Sequence, residues 1–383
     1  MKRRASFLLL VVPVLAMFFA SNAAASWTIQ TTPNPGSTAN EFSEVSCAGA
    51  TSCNAVGRYA GSEGFKGLFA AWNGASWGTS ATEGGPPPSD VEDVSCVANS
   101  SVCMAVGLIH GTEVEVGISS RTSGSTWTNS EAPRWSEGPG RPLHGVSCVS
   151  TVTCVAVGQD QRSGTKKTLV ETLVSGLEWK IVTSPNPAGS EPSLIDVSCT
   201  SSTSCMAVGQ YQSGGSTLTL AEQYNGTEWK IIPTPNMGGV ALNTLSAISC
   251  TTSNACTAVG RYGGFATKPL VERWNGTSWT IQSTPVLGET SQLSGVSCTS
   301  STACTAVGSY ASLSQTPVAM TWNGSTWTTQ AVATPTLPAN SYLKGSLSGV
   351  SCLSATVCTA VGSYRFVTGG TPGQIKTLAE RSS

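Results

Sequence analysis

The chain has 383 residues, a formal net charge of −1 and only 11% charged residues. No cluster of lysine or arginine occurs beyond the N-terminal segment, which argues against nucleic acid or an anionic membrane as the main partner. An apolar content of 39% with 41 glycines, and no amphipathic-helix or heptad pattern, is typical of an all-β extracellular protein.

Residues 1–25 have the layout of a secretory signal peptide. Basic residues 2–4 precede an apolar run over 7–20, and Ala23 and Ala25 place small side chains before the expected cleavage site. We therefore expect a secreted protein that has no membrane anchor after cleavage. The strongly apolar run favours general secretion over the twin-arginine route.

The cysteines recur in pairs whose first members are 48 to 54 residues apart, and this periodicity marks a repeat architecture. An even number of cysteines in an exported chain predicts disulfides. Zinc is the alternative, but the spacing within the pairs does not fit zinc ligands and His110 and His144 are the only histidines. We expect no metal and no cofactor. The predicted disulfides are Cys47–Cys53, Cys96–Cys103, Cys148–Cys154, Cys199–Cys205, Cys250–Cys256, Cys298–Cys304 and Cys352–Cys358.

Each repeat is predicted to form four short strands. In the fifth repeat these are 247–250, 256–260, 269–274 and 278–282, and Asn275-Gly276 between the last two predicts a tight type I′ hairpin turn. Four-stranded units repeated around an axis are the blades of a β-propeller, with an open solenoid as the alternative.

The two ends of the mature chain favour the propeller. Residues 26–30 resemble a fourth strand without its first three, and 377–383 resemble a third strand without its fourth. Together they complete one blade, and pairing them leaves no open sheet edge. The prediction is an all-β, seven-bladed β-propeller over 26–383 as one domain, whose N-terminal strand closes the ring.

The turns add a resemblance to a known class of propeller. The pattern Gly-x-[Ser/Thr]-Trp resembles the end of the Asp-box of sialidase-like propellers, although the aspartate of that motif is absent. The whole V-S-C…C-x-A-V-G…W-N-G-x-[ST]-W unit resembles secreted seven-bladed repeat proteins of actinobacterial type, and this resemblance implies a fold but no activity. The turn pattern occurs at 74–77, 124–127, 276–279 and 324–327.

The loops between second and third strands, and those between units, vary in length, so we expect binding on the face that carries them. Ten of the eleven tryptophans belong to the repeating pattern and are expected in the core, whereas Trp135 does not. An aromatic ring among arginines and carboxylates can bind a sugar or a peptide, with a solvated loop as the alternative. The candidate ligand-binding residues are Trp135, Arg134, Arg141, His144, His110, Glu131, Glu137 and Asp160.

Four glutamates occupy one equivalent position of the predicted third strands. Paired carboxylates could serve as acid and base in glycoside hydrolysis. Because these glutamates recur around the ring, we expect hydrogen bonds between units instead. They are Glu171, Glu222, Glu272 and Glu380.

The sequence contains no nucleophile–base pair and no phosphate-binding loop. We therefore expect a secreted, monomeric, non-enzymatic binding propeller that recognises a carbohydrate, a wall polymer or a protein. The alternative is a sialidase-like glycoside hydrolase or a polysaccharide lyase. The residue types that a sialidase would need are present, without its motif, as Arg58, Tyr59, Arg261 and Tyr262.

Overall fold

The computed structural model describes residues 26–84, 87–110, 115–123, 126–131, 142–161, 164–176, 178–312 and 314–382. The predicted signal peptide lies outside these ranges. The described residues form strands and turns and no helix, so they include no helix that could cross a bilayer.

The strands group into seven antiparallel four-stranded units. In units 1 to 6 neighbouring strands follow one another in the chain, and we call the four strands of a unit the inner, second, third and outer strand. Unit 1 comprises Asn40–Gly49, Ser52–Gly61, Gly64–Trp72 and Trp77–Thr79; unit 2, Asp90–Cys96, Cys103–His110, Glu115–Ser123 and Thr126–Glu131; unit 3, Leu143–Ser150, Thr153–Asp160, Lys167–Ser175 and Glu178–Val182. Unit 4 comprises Ser190–Ser201, Ser204–Ser213, Ser216–Tyr224 and Trp229–Ile231; unit 5, Leu242–Thr252, Ala255–Gly263, Thr267–Trp274 and Trp279–Ile281; unit 6, Thr290–Ser300, Ala303–Ala311, Gln315–Trp322 and Trp327–Gln330. Unit 7 comprises Ser341–Cys352, Cys358–Thr368, Lys376–Ser382 and, from the start of the chain, Trp27–Gln30. Of two further short strands, Ala81–Gly84 pairs with the outer strand of unit 2, and Thr371–Pro372 pairs with the end of the second strand of unit 7.

The hydrophobic cores lie between consecutive units. Met206 and Val208 of unit 4, for example, pack with Leu245 and Ala258 of unit 5. The middle strands are buried on both faces, which is why they read as continuous apolar runs and not as an alternating pattern. The ten repeat tryptophans are all buried, as predicted: Trp27, Trp72, Trp77, Trp127, Trp179, Trp229, Trp274, Trp279, Trp322 and Trp327.

The A-V-G motif of the second strand is explained by a close backbone approach. A Cβ atom on Gly260 would lie 2.0 Å from the carbonyl oxygen of Thr244 in the inner strand. No side chain fits in that space, so the motif requires glycine there.

The V-S-C motif of the inner strand serves three purposes. Its valine, such as Val296, lies in a core, and its cysteine pairs directly across the hairpin with the second cysteine of the unit. All seven predicted disulfides are present. The serine accepts a hydrogen bond from the cysteine N–H of a neighbouring unit.

These serine bonds occur at every boundary between units, at 2.9–3.0 Å. The bond between units 7 and 1 joins Ser351 Oγ to the N–H of Cys47 at 3.0 Å, the same length as the others. Val361 and Ala379 of unit 7 also pack against Phe42 of unit 1. The contact between units 7 and 1 is therefore built like the contacts between consecutive units.

The Asn-Gly turns differ from the prediction. Trp274 pairs with Trp279, so the loop between them has four residues and not two. Gly276 has a positive φ of 93°, but Asn275 does not. Instead, Asn275 Oδ1 accepts the N–H groups of Thr277 and Ser278 at 2.9 Å. The asparagine side chain thus caps the loop, and the type I′ assignment was wrong.

Candidate functional site in the central cavity

Every inner strand carries a β-bulge at the same place, three residues before the V-S-C serine. The register skips one residue there in all seven units. A bulge re-aims side chains relative to the regular pleat. All seven bulge residues line one cavity of about 520 Å³ at the centre of the molecule. They are Ser43, Glu92, His144, Ile195, Ser246, Ser294 and Ser348.

The residues that follow the bulges are either acidic or small. The three acids bond to the backbone of an adjacent unit at a point where that unit has a small residue. Asp93 Oδ2 accepts the N–H of Val146, which follows Gly145, at 2.6 Å. In unit order the seven residues are Glu44, Asp93, Gly145, Asp196, Ala247, Gly295 and Gly349.

Asp196 and Glu44 repeat this arrangement. Asp196 Oδ2 accepts the N–H of Ile248 at 2.7 Å, and Glu44 bonds the N–H of Val350. A Cβ atom on Gly349 would lie only 2.1 Å from Glu44 Oε1. Glu44 thus occupies space that a side chain at position 349 would need.

Burial dominates the ionisation of these three acids. It raises the pKa of Asp93 to about 6, against the opposing effect of its backbone hydrogen bonds. Burial, and then the charge of Asp93, raises the pKa values of Glu44 and Asp196 well above the ordinary range. Burial therefore favours the protonated form of these acids relative to exposed carboxyl groups.

The cavity is charged on one side. Arg58 Nε donates to Glu41 Oε2 at 2.8 Å, and Arg58 Nη1 lies 3.3 Å from Asp90 Oδ1. His144 Nδ1 lies 2.6 Å from Glu92 Oε2. These residues belong to units 1, 2 and 3, and they hold one another in place through hydrogen bonds.

The other side of the cavity is lined by hydroxyl groups. The serines come from units 5, 6 and 7: Ser246, Ser294, Ser346, Ser348 and Ser363. Hydroxyls both donate and accept hydrogen bonds. A wall of serines facing a wall of charged groups suits a polar ligand that carries several hydroxyl or amino groups. Within the described residues, no group of histidine, cysteine, aspartate and glutamate has the arrangement of a metal site.

Of the eight predicted ligand-binding residues, the structure places His144 in the cavity, where it lies against Glu92. Asp160 ends the second strand of unit 3 opposite Lys167 and does not line the cavity. His110 and Glu131 end strands of unit 2, and their side chains are not described. Trp135, Arg134, Glu137 and Arg141 lie outside the described residues, so the predicted sector remains a prediction.

Apart from His144, sequence reasoning missed the bulge residues. The signal was present in the repeat itself, because the column four positions before the first cysteine departs from serine in three units, while the residue before it is always apolar and the V-S-C motif or its variant follows. Reading Glu92, His144 and Ile195 as members of one column, and not as parts of separate loops, would have indicated a common position in the fold.

The recurring glutamates of the third strands are buried, and the predicted hydrogen bonds between units are present for Glu222 and Glu380. Glu222 Oε2 accepts a hydrogen bond from Ser184, which follows the outer strand of unit 3, at 2.6 Å. Glu380 Oε2 accepts the N–H of Ala333, which follows the outer strand of unit 6, at 3.0 Å. Burial raises the pKa of Glu222, Glu272 and Glu380 to about 8. These groups support the frame and do not line the cavity.

No family model and no curated protein matches this chain. Among solved structures, the chain resembles the WD40 repeats of RRP9 with 8% identity and a TM-score of 0.57, over 94% of this chain and 99% of that one. It resembles a polysaccharide lyase, an ulvan lyase bound to a GlcA(1-4)Rha3S unit, with 9% identity and a TM-score of 0.57, over 88% and 92%. It also resembles a protein of unknown function from Dyadobacter fermentans, with 11% identity and a TM-score of 0.51, over 94% and 98%. At these identities the likeness identifies the fold alone: the chain is a β-propeller.

Proposed function

We propose that this protein is a secreted, non-enzymatic propeller that binds an extracellular carbohydrate or wall polymer at its central cavity. The observation that carries the proposal is the convergence of the seven bulge residues on one cavity, where Glu92, His144 and Ile195 depart from the serine of the other four units. A constant frame that presents variable side chains at one point is the arrangement of a binding scaffold.

The proposed architecture is a closed ring of seven blades that acts as a monomer. It is supported by the serine–cysteine hydrogen bonds at all seven boundaries and by the pairing of Trp27–Gln30 with Lys376–Ser382. Secretion is supported by the seven disulfides, which persist in oxidising compartments. These features also fit the proposed kinship with secreted actinobacterial-type repeat proteins.

The charges in the cavity favour a neutral or amino sugar over an acidic one. Among the described residues, six carboxyl groups and one arginine line the cavity, and that arginine, Arg58, already bonds Glu41 and Asp90. A carboxylated sugar would have to displace one of these partners from the guanidinium. A hydroxyl-rich or amine-bearing ligand would instead find acceptors and donors on both walls.

The alternative is a glycoside hydrolase or polysaccharide lyase, and one observation favours it. The hydrogen bond from His144 to Glu92 orients an imidazole towards open space in the cavity, which is a usual arrangement for a general base. A sialidase-like or lyase reaction on an acidic sugar also needs cationic groups for the substrate carboxylate, and the engaged Arg58 is a poor candidate.

The decisive experiment screens the purified protein against glycan and wall-polymer arrays, with a panel of fluorogenic glycosides and a lyase assay alongside. We expect array binding without turnover. Ser348→Phe would fill the cavity and abolish binding, whereas Thr328→Phe, on an exposed outer strand, would leave it unchanged. Binding that survives Ser348→Phe would exclude the cavity, and turnover of any substrate would establish the enzyme alternative.

The predicted sector on the variable face would extend the site beyond the cavity. Trp135→Ala and Arg134→Ala should each weaken binding of the array ligand if that sector contributes. Unchanged affinity in both variants would restrict the site to the central cavity.

A further inference from the structure

Two boundaries between units contain an arginine stacked on the next unit's tryptophan. The guanidinium of Arg273, in the third strand of unit 5, lies 4.5 Å from the ring centre of Trp322 in unit 6. Its Nη2 atom donates to the carbonyl oxygen of Ser301, in the disulfide hairpin of unit 6. Each such site thus combines an aromatic face with a backbone acceptor.

The boundary between units 7 and 1 has the same construction. Arg381 lies 4.7 Å from the ring centre of Trp72, and its Nη2 atom donates to Ala50 O at 3.1 Å. Ala50 and Ser301 each stand three residues after the first cysteine of their unit. The two arginines therefore occupy equivalent sites.

At the boundary between units 3 and 4 the aromatic ring and the acceptor remain, but the arginine is replaced by Thr172. Thr172 pairs with Val155 as Arg273 pairs with Thr257, so the two positions are equivalent in register. The aromatic position holds Tyr224 and the hairpin position holds Ser202. Both line a cleft of about 470 Å³.

The cleft offers what a guanidinium needs. Tyr224 is half-buried, its ring centre is 5.5 Å from that of Trp229, and apolar side chains of unit 3 form the opposite wall. At the rim stands Glu228, whose carboxylate lies 2.8 Å from Lys230 Nζ on the exposed surface. Aromatic faces attract cations, so the half-buried ring of Tyr224 suits a guanidinium.

We propose that this cleft binds an arginine side chain of a partner protein. The guanidinium lies on Tyr224 and donates to the carbonyl oxygen of Ser202, as Arg273 does with Trp322 and Ser301 within the chain. The alkyl part of the arginine packs along Leu173. This site is separate from the central cavity and does not depend on the function proposed for it.

The test uses the full mature protein and saturation-transfer NMR with the peptide acetyl-Gly-Arg-Gly-amide. The matched probe replaces arginine by citrulline, which keeps the shape but carries no charge. We expect saturation transfer to the arginine side chain and at least about tenfold weaker binding of the citrulline peptide, the size of a cation–π contribution in a desolvated cleft.

Thr172→Arg gives the protein its own guanidinium at this site and should abolish peptide binding. Its control is Thr321→Arg, at the equivalent position of unit 6, where the next unit has Ser382 in place of an aromatic residue. The control should bind like the wild type. A Thr172→Arg protein that folds, by its melting curve, and still binds the peptide would overturn the proposal. So would equal binding of the two peptides, or no binding at millimolar concentration.

Discussion

The backbone N–H of Thr377 donates a hydrogen bond to Asn34 Oδ1 at 2.9 Å, although the two residues are 343 positions apart. Thr219 makes the same bond to Asn236 at 3.0 Å, and there the asparagine simply follows the outer strand of the same unit. The segment after Trp27–Gln30 therefore lies on unit 7 as the corresponding segment lies on unit 4. The segment that begins at Trp27 therefore supplies the outer strand of unit 7 and also the asparagine that bonds to the third strand of that unit.

Asn34→Ala should lower the free energy of unfolding by about 1–3 kcal/mol, because it leaves the N–H of the buried Thr377 without its acceptor. Asn236→Ala removes the equivalent bond within unit 4 and should cost about the same. Urea denaturation of the two variants measures both effects. A cost for Asn236→Ala with none for Asn34→Ala would show that the N-terminal segment is not docked in solution.

The buried glutamates make stability depend on pH in a predictable direction. Burial raises the pKa of Glu272 to about 8 from an ordinary value of 4.5. Between these two values the folded state holds a proton that the unfolded state has lost, so stability falls as pH rises from about 4.5 to about 8. Above pH 8 the buried carboxylate carries an unfavourable charge.

Glu272→Gln removes this charge while keeping the shape of the side chain. We expect the variant to be more stable than the wild type at pH 8.5, by about 1–4 kcal/mol, and the difference to shrink towards pH 5. Glu289→Gln, at an exposed glutamate, should change the stability of the protein little at either pH. Melting curves at the two pH values suffice, and a difference that grows at low pH would contradict the assignment.

Each disulfide should contribute a similar amount to the free energy of unfolding, because the seven loops that the disulfides close have nearly the same length. Replacing Cys298 and Cys304 together by alanine should cost about 2 kcal/mol on the chain-entropy account of a closed loop of this size. Removing Cys199 and Cys205 should cost the same within error. Chemical denaturation under non-reducing conditions checks this, and unequal costs would point to differences in the folded units.

The fold could be predicted from the sequence because every repeat carries the same local sequence signals. Cysteine spacing, the apolar strands and the tryptophans all indicated one unit, and the pairing of Trp27–Gln30 with Lys376–Ser382 followed from the incomplete ends. The turn type was missed because Asn275 caps its loop through its side chain. Propensity rules for two-residue hairpins do not include that contribution.

The central cavity was harder to foresee because it depends on a register shift. A bulge in each inner strand turns Glu92 and His144 towards the centre, and period-2 reasoning assigns such residues to the wrong face. The acids beside the bulges were equally hidden. Their partners are backbone N–H groups of other units, which no local sequence pattern reveals.

The contact between Glu44 and Gly349 gives a direct test of the cavity geometry. Gly349→Ala places a methyl group against Glu44 Oε1 and should cost about 1–3 kcal/mol of unfolding free energy. Glu44→Asp shortens the side chain and should recover only part of this cost in the double variant, because the methyl group would still lie 2.8 Å from the Cα atom of residue 44. Gly78→Ala, where nothing lies within 4 Å, should be neutral in urea denaturation. If the costs of Gly349→Ala and Glu44→Asp were strictly additive, the two side chains would not be in contact and the proposed lining of the cavity would need revision.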